Sequence, residues 1–232
     1  MSKKETLRWG YILAVIGCCL ISGCAYVQER VVTGLGPRHN TANFYRYPDF
    51  YDLDIKKVAV VGFQNSTDIP DIEDKVQEVF LLELKKAQRF EIVYNLEIDK
   101  ALENERFITK GDFSNEDLIE IAKKFHVDAI ILAQITQYRP YQPLVLGIKI
   151  KMIQTITGEI IWFLDEVYDS SLFGVANSAK EYYFNRMSPQ HHLYKWDIVI
   201  NSMKYFTQFA CFEVVQTLKR KETYFKKRRF LL

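Results

Sequence analysis

Residues 144–156 and 159–170 constrain the fold of this chain more than any other stretch. In the first, Leu146, Ile148, Ile150 and Met152 alternate with Val145, Gly147, Lys149 and Lys151. That is the period-two pattern of a strand with one buried and one wet face. The second run is of the same kind, and Thr157-Gly158 between them is a hairpin signal, weaker than Asn-Gly. Upstream the period changes. Residues 55–65 form an apolar run of strand length, and Ile72, Val76, Val79, Phe80, Leu84 and Ala87 then recur at helical spacing. Asp71, Glu73 and Asp74 at the start and Lys85 and Lys86 at the end suit the helix macrodipole. Residues 89–94 read as a strand, 96–107 and 115–125 as helices, and 127–135 as a buried strand. Residues 171–184 and about 194–221 read as helices around a Pro-His break. The order β-α-β-α-α-β-β-β-α-α, crossovers first and hairpin later, predicts an α/β (α+β) fold: a single mixed sheet with helices packed on its face.

The amino-terminal residues decide where such a domain would live. Lys3, Lys4 and Arg8 precede an apolar stretch over residues 9–21, short of the ~20 residues that cross a bilayer. The stretch fits a secretory h-region and closes on Ile21-Ser22-Gly23-Cys24. These four residues resemble the bacterial lipoprotein box. The resemblance implies cleavage between Gly23 and Cys24, lipidation (palmitate-type acylation) of Cys24, and a membrane anchor. Two or more chains bind stably, since each buried methylene contributes ~0.8 kcal/mol. Ala25, where inner-membrane retention would usually place Asp, implies the outer membrane and its periplasmic face. Loss of residues 1–23 removes Lys3, Lys4, Arg8 and Glu5 and leaves 28 basic and 28 acidic residues. A neutral mature chain gives no reason to expect nucleic acid as a partner. Cys18 and Cys19 depart with the leader, so Cys211 stands alone in an apolar segment and reads as a small buried hydrophobe.

The expected divisions are a signal peptide at 1–23, a lipidated tether at 24–54, a domain at 55–221 and a basic-aromatic tail at 222–232. The tether has glycines, prolines and no period, yet Phe44, Tyr45, Tyr47, Phe50 and Tyr51 crowd into it. Such aromatics either cover apolar surface of the domain or form a docking strip for a partner. In the tail, Lys226, Lys227, Arg228 and Arg229 stand among aromatics, a composition suited to anionic lipid headgroups or a protein partner.

Catalytic signals are sparse. Asp165, Glu166 and Asp169 lie near the end of a strand, where carboxylates are usually solvated or paired with lysine. His191-His192 sits beside Pro189 without a third ligand at zinc spacing, and His39 and His126 have no companion in sequence. Glycine-rich phosphate loops, nucleophile elbows and HExxH are missing from the sequence. No enzyme activity, metal or cofactor is expected.

Residues 55–170 resemble the small periplasmic domain shared by TolB amino-terminal regions, the curli-secretion lipoprotein CsgG and the peptidoglycan-synthase activator LpoB. The matching motifs are Gly62-Phe63-Gln64-Asn65, Leu81 with Leu84, residues 89–93, residues 127–135 and residues 157–162. They are structural motifs, so the resemblance implies a fold rather than a reaction. The long insertions that build a membrane barrel in the curli channel have no counterpart, since Arg139 to Gln142 is all that separates two strands. The expected function is a non-enzymatic adaptor or assembly component of an envelope complex in secretion, polysaccharide export or cell-wall synthesis. Its partners would be the membrane through its lipid and envelope proteins, a homo-oligomer included. The competing expectation is a lipid or small-ligand carrier, with a groove between the sheet and the apolar carboxy-terminal helix.

Overall fold

A computed structural model describes residues 37–94, 119, 122–187 and 195–219. Among the described residues seven strands make one sheet: β1 (Phe44–Arg46), β2 (Lys57–Val60), β3 (Gln64–Asn65), β4 (Glu91–Val93), β5 (Ala129–Arg139), β6 (Val145–Gln154) and β7 (Ile160–Asp169). Their spatial order is β1-β7-β6-β5-β2-β4, with β3 paired to β5 beyond the end of β2. The β4-β2-β5 portion is parallel and the β5-β6-β7-β1 portion antiparallel, so the sheet is mixed, as the periodicity predicts. Helices α1 (Glu73–Lys86), α2 (Phe173–Tyr182), α3 (Ile198–Asn201) and α4 (Met203–Gln216) accompany it, and a π turn, Tyr183–Met187, continues α2.

Alternation places Trp162, Leu164 and Tyr168 of β7 and Leu146, Ile148, Ile150 and Met152 of β6 in the core with Phe80, Phe206 and Phe209. Here α1 packs against α4, and α2 touches α4. On the opposite face a smaller cluster joins Ala59, Val61, Val127, Ile130 and Ile153, with Phe125 packed on it. The β6–β7 hairpin turns at Gly158, whose φ of 72° is one that glycine adopts without strain.

The motif residues have structural uses. Asn65 accepts from the Thr67 amide at 2.9 Å and donates to the Ile69 carbonyl at 2.7 Å, which shapes the turn before α1. Buried Gln77 of α1 accepts the Phe63 amide at 2.8 Å, joining helix to strand. Asp128 accepts the amides of Lys56 and Lys57 and sets the register of β2 on β5.

Four expectations need correction. Folded structure starts before residue 55, because β1 is a sheet strand. The helix expected over about 194–221 is interrupted at Ser202, whose extended backbone (φ −125°, ψ 119°) separates α3 from α4. The apolar pattern runs straight through this break, which hides it. Val145 and Gly147 are buried rather than wet. At Gly147 a Cβ would lie 2.5 Å from Thr136 Oγ1, where a bulge in β5 pushes Thr136 toward the neighbouring strand. Finally, the space expected for a carrier groove is filled by Phe206, Phe209, Ala210 and Val214, each fully buried. The expected helix at 96–107 lies outside the described residues.

Candidate functional site

The amino-terminal segment is a strap fastened to the domain by polar contacts. Asn177 of α2 donates to the Pro37 carbonyl at 3.0 Å, and Arg38 pairs with Glu181 at 2.8 Å. His39 donates its amide to the Gly174 carbonyl at 2.9 Å, an approach so close that a Cβ on Gly174 would meet that nitrogen at 3.1 Å. Thr41 and Tyr168 share a buried hydroxyl–hydroxyl bond of 3.0 Å. Glu166 accepts the amides of Ala42 and Asn43 at 3.2 and 3.3 Å and lies 3.5 Å from His39 Nε2. From there β1 runs antiparallel along β7, Phe44 opposite Leu164 and Arg46 opposite Trp162.

This arrangement settles where the five aromatics go. Phe50 is fully buried, and a side chain with no accessible surface cannot dock a partner, so that expectation is corrected for Phe50. Phe44, Tyr47 and Tyr51 are partly buried against the same core. Tyr51 has the Arg46 and Arg89 guanidinium groups 4.7 Å from its ring, and Arg89 also lies 4.5 Å from Phe50. The two arginines donate onward to the Thr217 and Leu218 carbonyls at 2.8 and 3.3 Å. They thereby satisfy carbonyls that the end of α4 leaves without helical partners. Trp162 Nε1 donates to Thr217 Oγ1 at 3.0 Å in the same junction. Tyr45, on the outer face opposite Phe163, is the aromatic of the five that stays exposed. Gly23, Cys24, Lys226, Lys227, Arg228 and Arg229 lie outside the described residues, as does His191-His192.

The three carboxylates of β7 are used structurally. Glu166 clamps the strap. Asp165 lies 4.0 Å from Lys149. Asp169 accepts the Ser171 amide at 2.8 Å and hydroxyl at 2.7 Å; partial burial works against its charged form, but those bonds and Arg139 bring its carboxyl below the usual range. Among the described residues no cluster of three or more His, Cys, Asp or Glu could hold a metal ion. Cys211 is fully buried and its thiol is pushed up by burial, far from a reactive thiolate. Sequence reasoning missed Glu213 on α4: burial, reinforced by nearby Glu181 and opposed by Arg38, pushes its carboxyl up to about 7. Nothing in the apolar run around it signals this, because Glu181 and Arg38 act on it from elements distant in sequence.

Between α1, the π turn and α4 lies an open groove of about 480 Å³. Lys86, Arg186, Lys204 and Lys219 line it, against Glu83. Lys86 is bonded to Glu83 at 2.6 Å. Arg186 lies over the Phe212 ring at 5.1 Å, and Tyr182 packs on that ring with centroids 5.0 Å apart. The π turn carries Arg186 and Met187 to this wall; such bulges are frequent at functional sites. A concave, cation-rich, aromatic-walled surface is suited to an anionic partner group.

No protein-family model matches the chain, and no curated protein matches it. Solved structures do overlap it. A hypothetical protein, CT253, from Chlamydia trachomatis superposes with a TM-score of 0.43 at 13% identity, covering 70% of this chain and 94% of that one. The PelC dodecamer subunit from Paraburkholderia phytofirmans gives 0.38 at 17%, covering 54% and 78%. The LpoB carboxy-terminal domain from Escherichia coli gives 0.36 at 15%, covering 50% and 84%. At these scores the likeness assigns no function to this chain.

Proposed function

We propose that this chain is an outer-membrane lipoprotein whose periplasm-facing domain is a non-enzymatic adaptor in an envelope complex, such as one for secretion, polysaccharide export or cell-wall synthesis. The observation that carries the reading is the run over residues 9–21 closing on Ser22-Gly23-Cys24. The domain supports it in two ways. Its strap is bonded along α2 and β7, so an anchor at Cys24 holds the domain through a short leash. Its β7 carboxylates are engaged in strap, turn and lysine contacts, while a cationic groove stands open between helices. Partner contact falls to that groove, to exposed Tyr45 and to the basic tail with Lys226–Arg229.

The test is photo-crosslinking in intact cells from a probe placed at Lys204 in the groove, with Arg186→Glu as the charge-reversed control. Adaptor function predicts one envelope protein crosslinked from Lys204, and loss of that product with Arg186→Glu. A protein that crosslinks to nothing and purifies with stoichiometric bound lipid would be a carrier instead.

A further inference from the structure

Where the strap leaves the domain has a consequence for orientation. Read backward from β1, the chain passes Trp162, Leu164 and then Glu166, where Ala42 and Asn43 are held, and reaches His39 at Gly174. It therefore travels toward the Asp169 end of β7 and then onto α2, where Pro37 is held by Asn177, about one turn from Phe173. At that end three large apolar side chains stand in solvent: Tyr141 at 69% exposure, Leu172 at 54% and Phe173 at 67%. Short contacts bring their backbones together. Ser170 exchanges bonds with Leu144, its amide donating to the Leu144 carbonyl at 2.9 Å and its hydroxyl accepting the Leu144 amide at 2.7 Å. Arg139 pairs with Asp169 at 3.7 Å, across the base of the loop that carries Tyr141. Phe173 is the first residue of α2, adjacent to the Gly174 that holds the strap.

We infer that this end, with Tyr141, Leu172 and Phe173, rests on the lipid surface and inserts its apolar side chains at the headgroup level. The inference rests on the anchored reading above. Thirteen residue steps separate Cys24 from Pro37. A chain of that length reaches at most about 45 Å even when fully extended. The opposite tip, where Ile156 is 85% exposed, lies a strand length further off, about 30 Å along β7. Close tethering therefore favours the Tyr141 end over the Ile156 tip. Tyrosine at the polar boundary and Phe-Leu beneath it match the chemistry of a bilayer interface. The carboxy-terminal residues leave from the other end, since Thr217 bonds to Trp162 and Arg46 near the start of β7.

The test uses the full processed protein, reconstituted in vesicles of zwitterionic and anionic phospholipid containing brominated acyl chains. Single substitutions Phe173→Trp, Tyr141→Trp and Ile156→Trp are compared after subtraction of the wild-type emission of Trp162 and Trp196. All three positions are exposed, so each variant should retain the parent circular dichroism. The expected result is quenching at positions 173 and 141 at least roughly twofold greater than at 156. Equal quenching at all three, or more at 156, overturns the orientation. The mass of the amino-terminal fragment from the same sample separates the two readings. An acylated fragment without differential quenching refutes the docking end alone, whereas an unacylated fragment refutes the anchor.

Discussion

Replacing Glu213 with Gln tests the reading of a raised, largely buried carboxyl on α4. The Glu213 carboxyl on α4 has its folded pKa raised from 4.5 to about 7, by burial first and Glu181 second, with Arg38 of the strap acting in the opposite direction. A raised carboxyl binds its proton more tightly in the folded state. Between about pH 4.5 and 7 the folded protein therefore holds more protons than the unfolded chain, and stability falls as pH rises through that window. At about 1.4 kcal/mol per pKa unit the full shift corresponds to about 3 kcal/mol, and partial solvent access to the side chain reduces this to about 1–3 kcal/mol. Denaturant unfolding of wild type and Glu213→Gln at about pH 4 and pH 8 reads the difference directly. Glutamine mimics the protonated acid, so the variant should match wild type at the lower pH and exceed it by about 1–3 kcal/mol at the higher. A variant that differs from wild type by the same amount at both pH values would refute the reasoning, since the carboxyl would then not titrate in the window.

Arg89→Met keeps the apolar stem but removes the donors to Phe50 and Leu218 and the cation over Phe50 and Tyr51; a loss of about 2–4 kcal/mol is expected in equilibrium unfolding. Gly147→Ala forces a methyl against Thr136 Oγ1 and should cost about 1–3 kcal/mol, with partial recovery when Thr136→Ala is added. Phe50→Ala should destabilise by about 3–5 kcal/mol and Tyr45→Ala by less than about 1 kcal/mol, a contrast that separates a core aromatic from a surface one in thermal melts.

Much of the sheet was legible because its periodicity is local. The lysines of β6 and the hydrophobes between them report its inner face without help, and Gly158 marks the turn. The acids and lysines at the two ends of α1 likewise stand where the dipole wants them. What stayed hidden depends on contacts distant in sequence. Phe44–Arg46 became a strand only because the edge of β7 was free to pair with it. Phe50 stood open between covering the domain and docking a partner, because the stacking of Arg89, thirty-nine positions later, has no local signature. Val145 and Gly147 read as wet because the β5 bulge opposite them has no sequence signature. Of the site, the clustering of aromatics before residue 55 was visible, but its division into buried Phe50 and exposed Tyr45 was not. The groove joins Lys86 to Lys204 and Arg186 from three separate elements, so no spacing rule could have found it.

Mass spectrometry of the amino-terminal proteolytic fragment of protein purified from its native membranes tests the anchor most directly. The expected fragment begins at Cys24 and carries a diacylglyceryl group together with an acylated amine. A fragment that retains residues 1–23 or begins at an unmodified Cys24 would contradict anchoring and, with it, the tethered adaptor built upon it.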